Sequence, residues 1–306
     1  MILLCGIRSE APLALVGRAL AGLGADFRFV HQRDVARYRI AWTVDAGGVA
    51  GTLRLGRERI DLERVKGVYS RLMDDSLLPE LDGLAPDHPA RRHARAFHEA
   101  LFRWTEVTPA RVVNRSEAQA SNGSKPYQAQ LIIAHGFLTP PTLITNDPAA
   151  VLEFRREHKR IIYKSISGVR SIVRTLEDSD LERLDRIGWC PVQFQAAIEG
   201  TNIRVHVVGD SAYASEIEST HLDYRYANRE GGKTVLRAVR LPGAIRARCI
   251  ALAKGLGLPF AGIDLMRGTG GEHYCFEVNP QPAFSYYQAN TGQPIAKAVA
   301  RYLAGA

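Results

Sequence analysis

Phe276-Glu277-Val278-Asn279-Pro280 is the stretch on which the reading of this chain turns. The run Tyr274-Cys275-Phe276-Glu277-Val278 reads as a strand, and strand side chains alternate between faces, so Glu277 and Asn279 project from one side. Asp264 lies in another apolar run, Phe260-Ala261-Gly262-Ile263-Asp264-Leu265, and the glycine-rich Gly268-Thr269-Gly270-Gly271 joins the two. A hairpin through that turn brings a third oxygen ligand beside the first two. Two carboxylates and an amide oxygen suit a hard cation such as Mg²⁺, which favours oxygen and completes its shell with water and substrate phosphate. The competing reading is an edge strand with a solvated acidic face, because short motifs recur by chance.

The bulk properties bound the answer. A chain of 306 residues can bury a substantial core and divide into two or three subdomains. Its apolar fraction of 46% and charged fraction of 24% belong to an ordinary soluble protein. No apolar run approaches the roughly 20 residues that span a bilayer. Met1-Ile2-Leu3-Leu4-Cys5-Gly6-Ile7 lacks a basic segment and reads as a first buried strand rather than a signal peptide. Cys5, Cys190, Cys249 and Cys275 form no C-x-x-C pair and read as free thiols, so a reducing cytoplasm is expected. The net charge of +8 admits nucleic-acid binding, and it equally suits a site for polyphosphate and carboxylate. The densest basic cluster, Arg91-Arg92-His93-Ala94-Arg95, reads as one exposed helix face. Without an aromatic-interleaved basic stripe or zinc-finger spacing, the nucleic-acid reading ranks below an enzyme.

Residues 1 to about 85 alternate short strands and helices: a strand over Met1 to Ile7, a helix over Pro12 to Leu23 stopped by Gly24, and strands over Phe27 to His31 and Val65 to Ser70. This βαβ pattern predicts a small, mostly parallel sheet. Leu78 to Pro89 reads as a linker, followed by an amphipathic helix from Ala90 to about Trp104 and a short strand over Val112 to Arg115. Ser124 is placed to cap a helix over Lys125 to about His135, with Gly136 as its stop. Strands are expected at Ile161 to Ser165, Val192 to Phe194, Ile203 to Val208 and Ala212 to Ile217. A helix at Ile245 to Leu256, the hairpin and a helix at Pro294 to Leu303 close the chain.

Two lysines and two arginines accompany the acidic triad. Lys164 sits in the otherwise apolar Ile161-Ile162-Tyr163-Lys164-Ser165, where an ammonium needs a partner. The small-residue loop Ser165 to Ser171 follows and can fold over phosphates; a snorkelling lysine at a strand end is the alternative. Lys125 opens its helix and could reach a phosphate there or lie in solvent. Arg204 faces opposite to Ile203 and Val205, and Arg225 follows in Asp223-Tyr224-Arg225. Either arginine could stabilise charge developing in phosphoryl transfer or form a structural ion pair. Gly232-Lys233-Thr234 imitates the end of a P-loop, but its first glycine is replaced by Ala227. The nine histidines offer no H-E-x-x-H, and no G-x-S-x-G elbow is present. Tyr286 and Tyr287 line an acceptor pocket or pack on the last helix.

In this order the pieces resemble the ATP-grasp superfamily, with the RimK-like ligases and the ligases that modify ribosomally made peptides as the nearest likeness. The resemblance runs from about Asn114 to the C-terminus. It rests on Asn122-Gly123-Ser124-Lys125-Pro126, Thr142-Leu143-Ile144-Thr145-Asn146, Tyr163-Lys164-Ser165, Phe194-Gln195, Asn202-Ile203-Arg204, Asp223-Tyr224-Arg225, Gly262-Ile263-Asp264 and the opening pentapeptide. It implies an α/β chain, α+β in its C-terminal half, with ATP held between two α+β subdomains. The implied divisions are a pre-ATP-grasp domain over 1–110, a central subdomain over 111–190 and a C-terminal subdomain over 191–306. By resemblance ATP falls to Lys125, Lys164, Gln195, Ala196, Ala197, Ile198, Asn202 and Arg225. Catalysis falls to Arg204 and Lys164, and Mg²⁺ or Mn²⁺ to Asp264, Glu277 and Asn279.

The chain departs from the pattern at Ala196 and Ala197, where a Glu and an aromatic residue are usual, and at Asn202, where an acid is usual. Glu199 is a candidate replacement carboxylate. The implied activity is ATP-dependent ligation of a carboxylate to an amine, or to a hydroxyl, through an acyl phosphate. A peptide-modifying cross-linker and a non-catalytic nucleotide or nucleic-acid binder are the alternatives. Expected partners are ATP, a carboxylate donor and an amine or hydroxyl acceptor, a peptide among them; no membrane is expected, and a homodimer is left open.

Overall fold

Leu3 and Cys5 face one core while Ile2 and Leu4 face another, so the first strand is buried along its whole length. An unbroken apolar run suits a parallel strand covered on both sides. The computed structural model describes residues 1–166, 173–219 and 234–306. Strand β1 (Ile2–Gly6) leads through α1 (Ala11–Gly22) to β2 (Phe27–His31). An antiparallel sheet follows, β3 (Tyr38–Asp45), β4 (Gly48–Leu55) and β5 (Glu58–Asp61). Then come β6 (Gly67–Arg71), α2 (Pro89–Val107) and β7 (Arg111–Val113). The four parallel strands lie in the order β2-β1-β6-β7. Phe97, Leu101 and Trp104 of α2 cover one face.

The sheet β3–β5 was not expected, although Tyr38 to Val44 alternates as an amphipathic strand should. The expected linker at Leu78 to Pro89 is also different in kind. Leu78 and Leu81 are buried in the N-terminal core, and short 3₁₀ turns carry the chain past them.

The second sheet follows α3 (Lys125–Ala134). Its strands are β8 (Thr142–Thr145), β9 (Ile161–Ser165), β10 (Arg174–Thr175) and β11 (Val192–Ala196), with α4 (Pro148–His158) and α5 (Asp178–Leu181) between them. They pair antiparallel in the order β10-β9-β11-β8. Val151 of α4 packs with Ile161 and Phe194 in a small core. Ser124 precedes α3 but makes no side-chain capping bond; Pro126 occupies the first turn, where a missing N–H is harmless.

The last sheet has five strands, β12 (Gly200–Val208), β13 (Ser211–Ser219), β14 (Thr234–Val239), β15 (Phe260–Gly268) and β16 (His273–Asn279), in the order β14-β13-β12-β15-β16. Ile203, Val205, Ile263 and Leu265 pack against Cys249 and Leu252 of α6 (Gly243–Gly255). Helices α7 (Ser285–Thr291) and α8 (Ile295–Ala304) end the chain, and α8 with α1 covers the second face of the N-terminal sheet. Among the described residues no helix is long and apolar enough to cross a membrane.

Asn114 ties the first sheet to the last. Its amide donates to the carbonyls of Phe260 (2.7 Å) and Pro280 (2.5 Å) and accepts from the Phe260 N–H (3.2 Å), all buried. Replacing it by alanine strands three buried backbone groups, so urea unfolding should show a loss of about 3 kcal/mol. A loss below about 1 kcal/mol would mean that water replaces the amide.

Candidate active site

Two walls face each other across a cavity of about 420 Å³. One is the face of the second sheet opposite its core, bearing Thr142, Ile144, Lys164, Gln193 and Gln195. Strand alternation selects this set: Tyr163 and Phe194 point into the core, so Lys164, Gln193 and Gln195 point away from it. Lys164 stands opposite Gln193 in the β9–β11 register. Gln195 Nε2 donates to Thr142 Oγ1 at 2.9 Å, while Oε1 of both glutamines is buried without a hydrogen-bond partner. The other wall is the first turn of α3, with Lys125 and Pro126, and Cys275 and Phe276 of β16.

The acidic triad lies on one face of the β15–β16 hairpin. Asp264 is directly opposite Glu277, and Gly262 is opposite Asn279. Between Asp264 and Leu265 the register shifts, leaving Phe276 as the extra residue of a bulge. Each carboxylate holds an internal cation. Lys125 Nζ lies 2.6 Å from Glu277 Oε1 and donates to Asn122 Oδ1 at 3.0 Å. Arg204 Nη1 donates to Asp264 Oδ1 at 2.6 Å, from the opposing position on β12. The Arg204 side chain is only 7% exposed and lies over the Tyr287 ring. Asn279 Oδ1 accepts from the Gln281 N–H at 2.8 Å, which leaves it a second lone pair.

Among the described residues no three His, Cys, Asp or Glu side chains gather as a metal group. The available donors are therefore two carboxylates and an amide oxygen, a set that fits a hard cation.

Of the other expected site residues, Ala196 ends β11, and its N–H bonds to the carbonyl of Pro141. The Ala197 N–H bonds to the carbonyl of Arg160. Ile198 follows in the connection to β12. Asn202 shares the Arg204 face of β12, two residues away. Glu199 is in an exposed ion pair with Arg160. Arg225, with Asp223 and Tyr224, lies outside the described residues, as do Gly232-Lys233 and most of the loop after Ser165.

Two residues that sequence patterning passed over, Gln128 and Gln281, hold the site in place together with Gly262. Gln128, buried on α3, brackets Val278 by accepting from its N–H and donating to its carbonyl, each at 2.9 Å. It satisfies the outer edge of β16 between the two candidate ligands. Gln281 bonds to Asn279, Ser70 and Gln119. Gly262 is required by crowding: a Cβ there would sit 2.2 Å from Arg204 Nη2 and 2.8 Å from Pro282 Cβ.

On this same face His206 is fully buried, packed against the Tyr287 ring, with neither ring nitrogen hydrogen-bonded. Burial, and then the charge of Arg204, hold its pKa well below 6.5. The unfolded chain takes up that proton near pH 6.5 and the folded chain does not, so stability falls as pH drops below that value, by up to about 1.4 kcal/mol per pH unit. His206→Phe should flatten the dependence of the urea midpoint between about pH 7 and pH 5. An unchanged slope would place the proton-linked group elsewhere.

The cavity carries Lys164 on one wall and Lys125 on the other, and Lys125 is paired with Glu277 of the acidic triad. Comparison with known proteins gives the class. Residues 123–285, more than half of the chain, match the ATP-grasp domain family model. A probable alpha-L-glutamate ligase of Picosynechococcus sp. is 31% identical over 112 residues, 36% of each chain. A second, from Shewanella denitrificans, is 25% identical over 238 residues, 74% of this chain and 79% of that one. The solved ATP-grasp ligase PsnB, complexed with a minimal precursor, Mg and ADP, superposes with a TM-score of 0.78 at 25% identity, covering 99% of this chain and 96% of that one. The chain belongs to the ATP-grasp domain family, and it is an ATP-dependent ligase.

Proposed function

We propose that the protein is an ATP- and Mg²⁺-dependent carboxylate–amine ligase working through an acyl phosphate. The observation that carries this is a cavity lined by both Lys125 and Lys164, with Lys125 in turn paired with Glu277 of the acidic triad. In this reading the two lysines hold the phosphates of ATP, with Arg225 as a further cation. The segment Gln195 to Ile198, including Ala196 and Ala197, receives adenine, with Asn202 nearby. Asp264, Glu277 and Asn279 hold the divalent cation, which when bound screens the phosphate charge.

A substrate carboxylate oxygen attacks the γ-phosphorus of ATP and ADP leaves. Arg204 and Lys164 neutralise the charge that develops. The amine then attacks the acyl carbon, phosphate leaves, and the amine loses its proton. No protein nucleophile is needed: burial pushes the Cys5 and Cys249 thiols up to about 12, and that of Cys275 well above its ordinary value. In this reading the enzyme works in the cytoplasm, where ATP is supplied.

A second reading, a ligase that cross-links a peptide through side-chain amides or esters, is supported by the peptide precursor bound to the solved relative. Phosphate release is the test, screened with free amino-acid pairs and with peptides rich in Glu and Lys. Release that requires both a carboxylate and Mg²⁺ supports the ligase. Peptide products lighter by one water per bond support the second reading. Mg²⁺-independent hydrolysis unaffected by any carboxylate sinks both.

A further inference from the structure

A cavity of about 570 Å³ opens at the carboxyl ends of β1 and β6. From β1 the chain leaves through α1 to β2 on one side, and from β6 through α2 to β7 on the other. The two strands therefore flank the point where the strand order reverses, and in open parallel sheets ligands bind in that crevice. Its lining is drawn from the last residues of β6, Arg71 among them, from the segments just beyond the two strands, including Glu10, and from Phe102, Ser116 and Gln281.

The Arg71 side chain is 11% exposed and is fixed on one edge. Its Nε donates to both Glu10 oxygens, at 2.8 and 2.9 Å, and its Nη2 lies 2.6 Å from Oε1. Nη1 reaches Gln281 Oε1 at 3.4 Å and the Pro282 carbonyl at 3.5 Å, beyond good hydrogen-bond length, and the buried Tyr69 hydroxyl also interacts with the guanidinium. The guanidinium is thus oriented by Glu10 with a donor edge turned toward Gln281. Glu10 sits at the N-terminus of α1, where the helix offsets part of its charge, so the pair still attracts an anion.

Arg71 is also close to the chemistry. Gln281 donates to the candidate ligand Asn279, and Pro282 stands beside Arg204 at Gly262. We infer that this cavity is the subsite for a carboxylate-bearing substrate, an acidic amino acid either free or within a peptide, with Arg71 binding the carboxylate and Glu10 positioning Arg71. This inference rests on the ligase reading above.

The test is calorimetric, on the whole enzyme loaded with AMPPNP and Mg²⁺. The probes are L-glutamate and a capped peptide with one internal glutamate, each beside its glutamine counterpart. One carboxylate probe should bind at least about tenfold more tightly than its counterpart, and which one binds identifies the source. Arg71→Gln should weaken that probe at least about tenfold while AMPPNP affinity stays within about twofold, which also reports an intact fold. Ser116→Phe, which fills the cavity without touching the ion pair, should weaken it likewise. Binding of neither probe, no preference over glutamine, or undiminished binding to both variants overturns the subsite. Failure of AMPPNP to bind the native enzyme marks instead the failure of the ligase reading, and the subsite falls with it.

Discussion

Arg204→Met is expected to lower kcat for ADP formation about 10³-fold while changing the affinity for nucleotide little, because a charge aimed at the transferring phosphoryl acts mainly in the transition state. The geometry behind this is the buried guanidinium held on Asp264 and stacked on Tyr287. Arg204→Lys keeps the charge but not the rigid fork, and should recover only part of the loss. Steady-state ADP release with a carboxylate acceptor reads the effect, and a kcat within about threefold of native would remove Arg204 from the reaction. Loss of the arginine also leaves Asp264 without its partner, so the unfolding midpoint must be measured beside the rate. A fall in kcat accompanied by full unfolding at the assay temperature would not count as support.

Gly262→Ala should be almost as damaging, for a steric reason alone. The added methyl would lie 2.2 Å from Arg204 Nη2, so the guanidinium must leave its place on Asp264. The expected loss is about 10²-fold in kcat, with a stability cost of about 1–3 kcal/mol from overpacking. A double-mutant cycle isolates the cause. If the methyl acts by displacing Arg204, Gly262→Ala adds almost nothing to Arg204→Met. Multiplying losses would mean that the alanine damages the hairpin itself.

What the sequence disclosed and what it withheld divide along the range of the forces involved. That Glu277 and Asn279 share a face, and that Arg204 opposes Ile203 and Val205, follows from strand alternation within a few residues. The hairpin followed from two apolar runs and a glycine-rich turn. Which cation meets which anion did not follow: Lys125 and Glu277 are 152 residues apart, and only the packing of α3 on β16 joins them. Gln128 and Gln281 were invisible for a related reason. A lone glutamine looks like surface until its neighbours are known, and nothing in its flanks marks the backbone group it satisfies. Leu78 and Leu81 misled in the opposite direction, because the prolines and aspartates around them suggested solvent while the leucines went inside. Tyr286-Tyr287 split between two fates, Tyr287 buried on His206 and Tyr286 41% exposed.

The distribution of cores has a mechanical consequence. The first and last sheets share one core through Val208, Phe260 and α8, and Asn114 rivets them together. The sheet bearing Lys164 has a separate, smaller core and is joined to the rest through residues 139–141 and 197–199. The molecule thus divides into a massive anvil, which carries Glu277, Asp264 and Arg204, and a light hammer, which carries Lys164. In the proposed reading, shutting the cavity around a nucleotide would be a stroke of the hammer, with the carboxylates left in place.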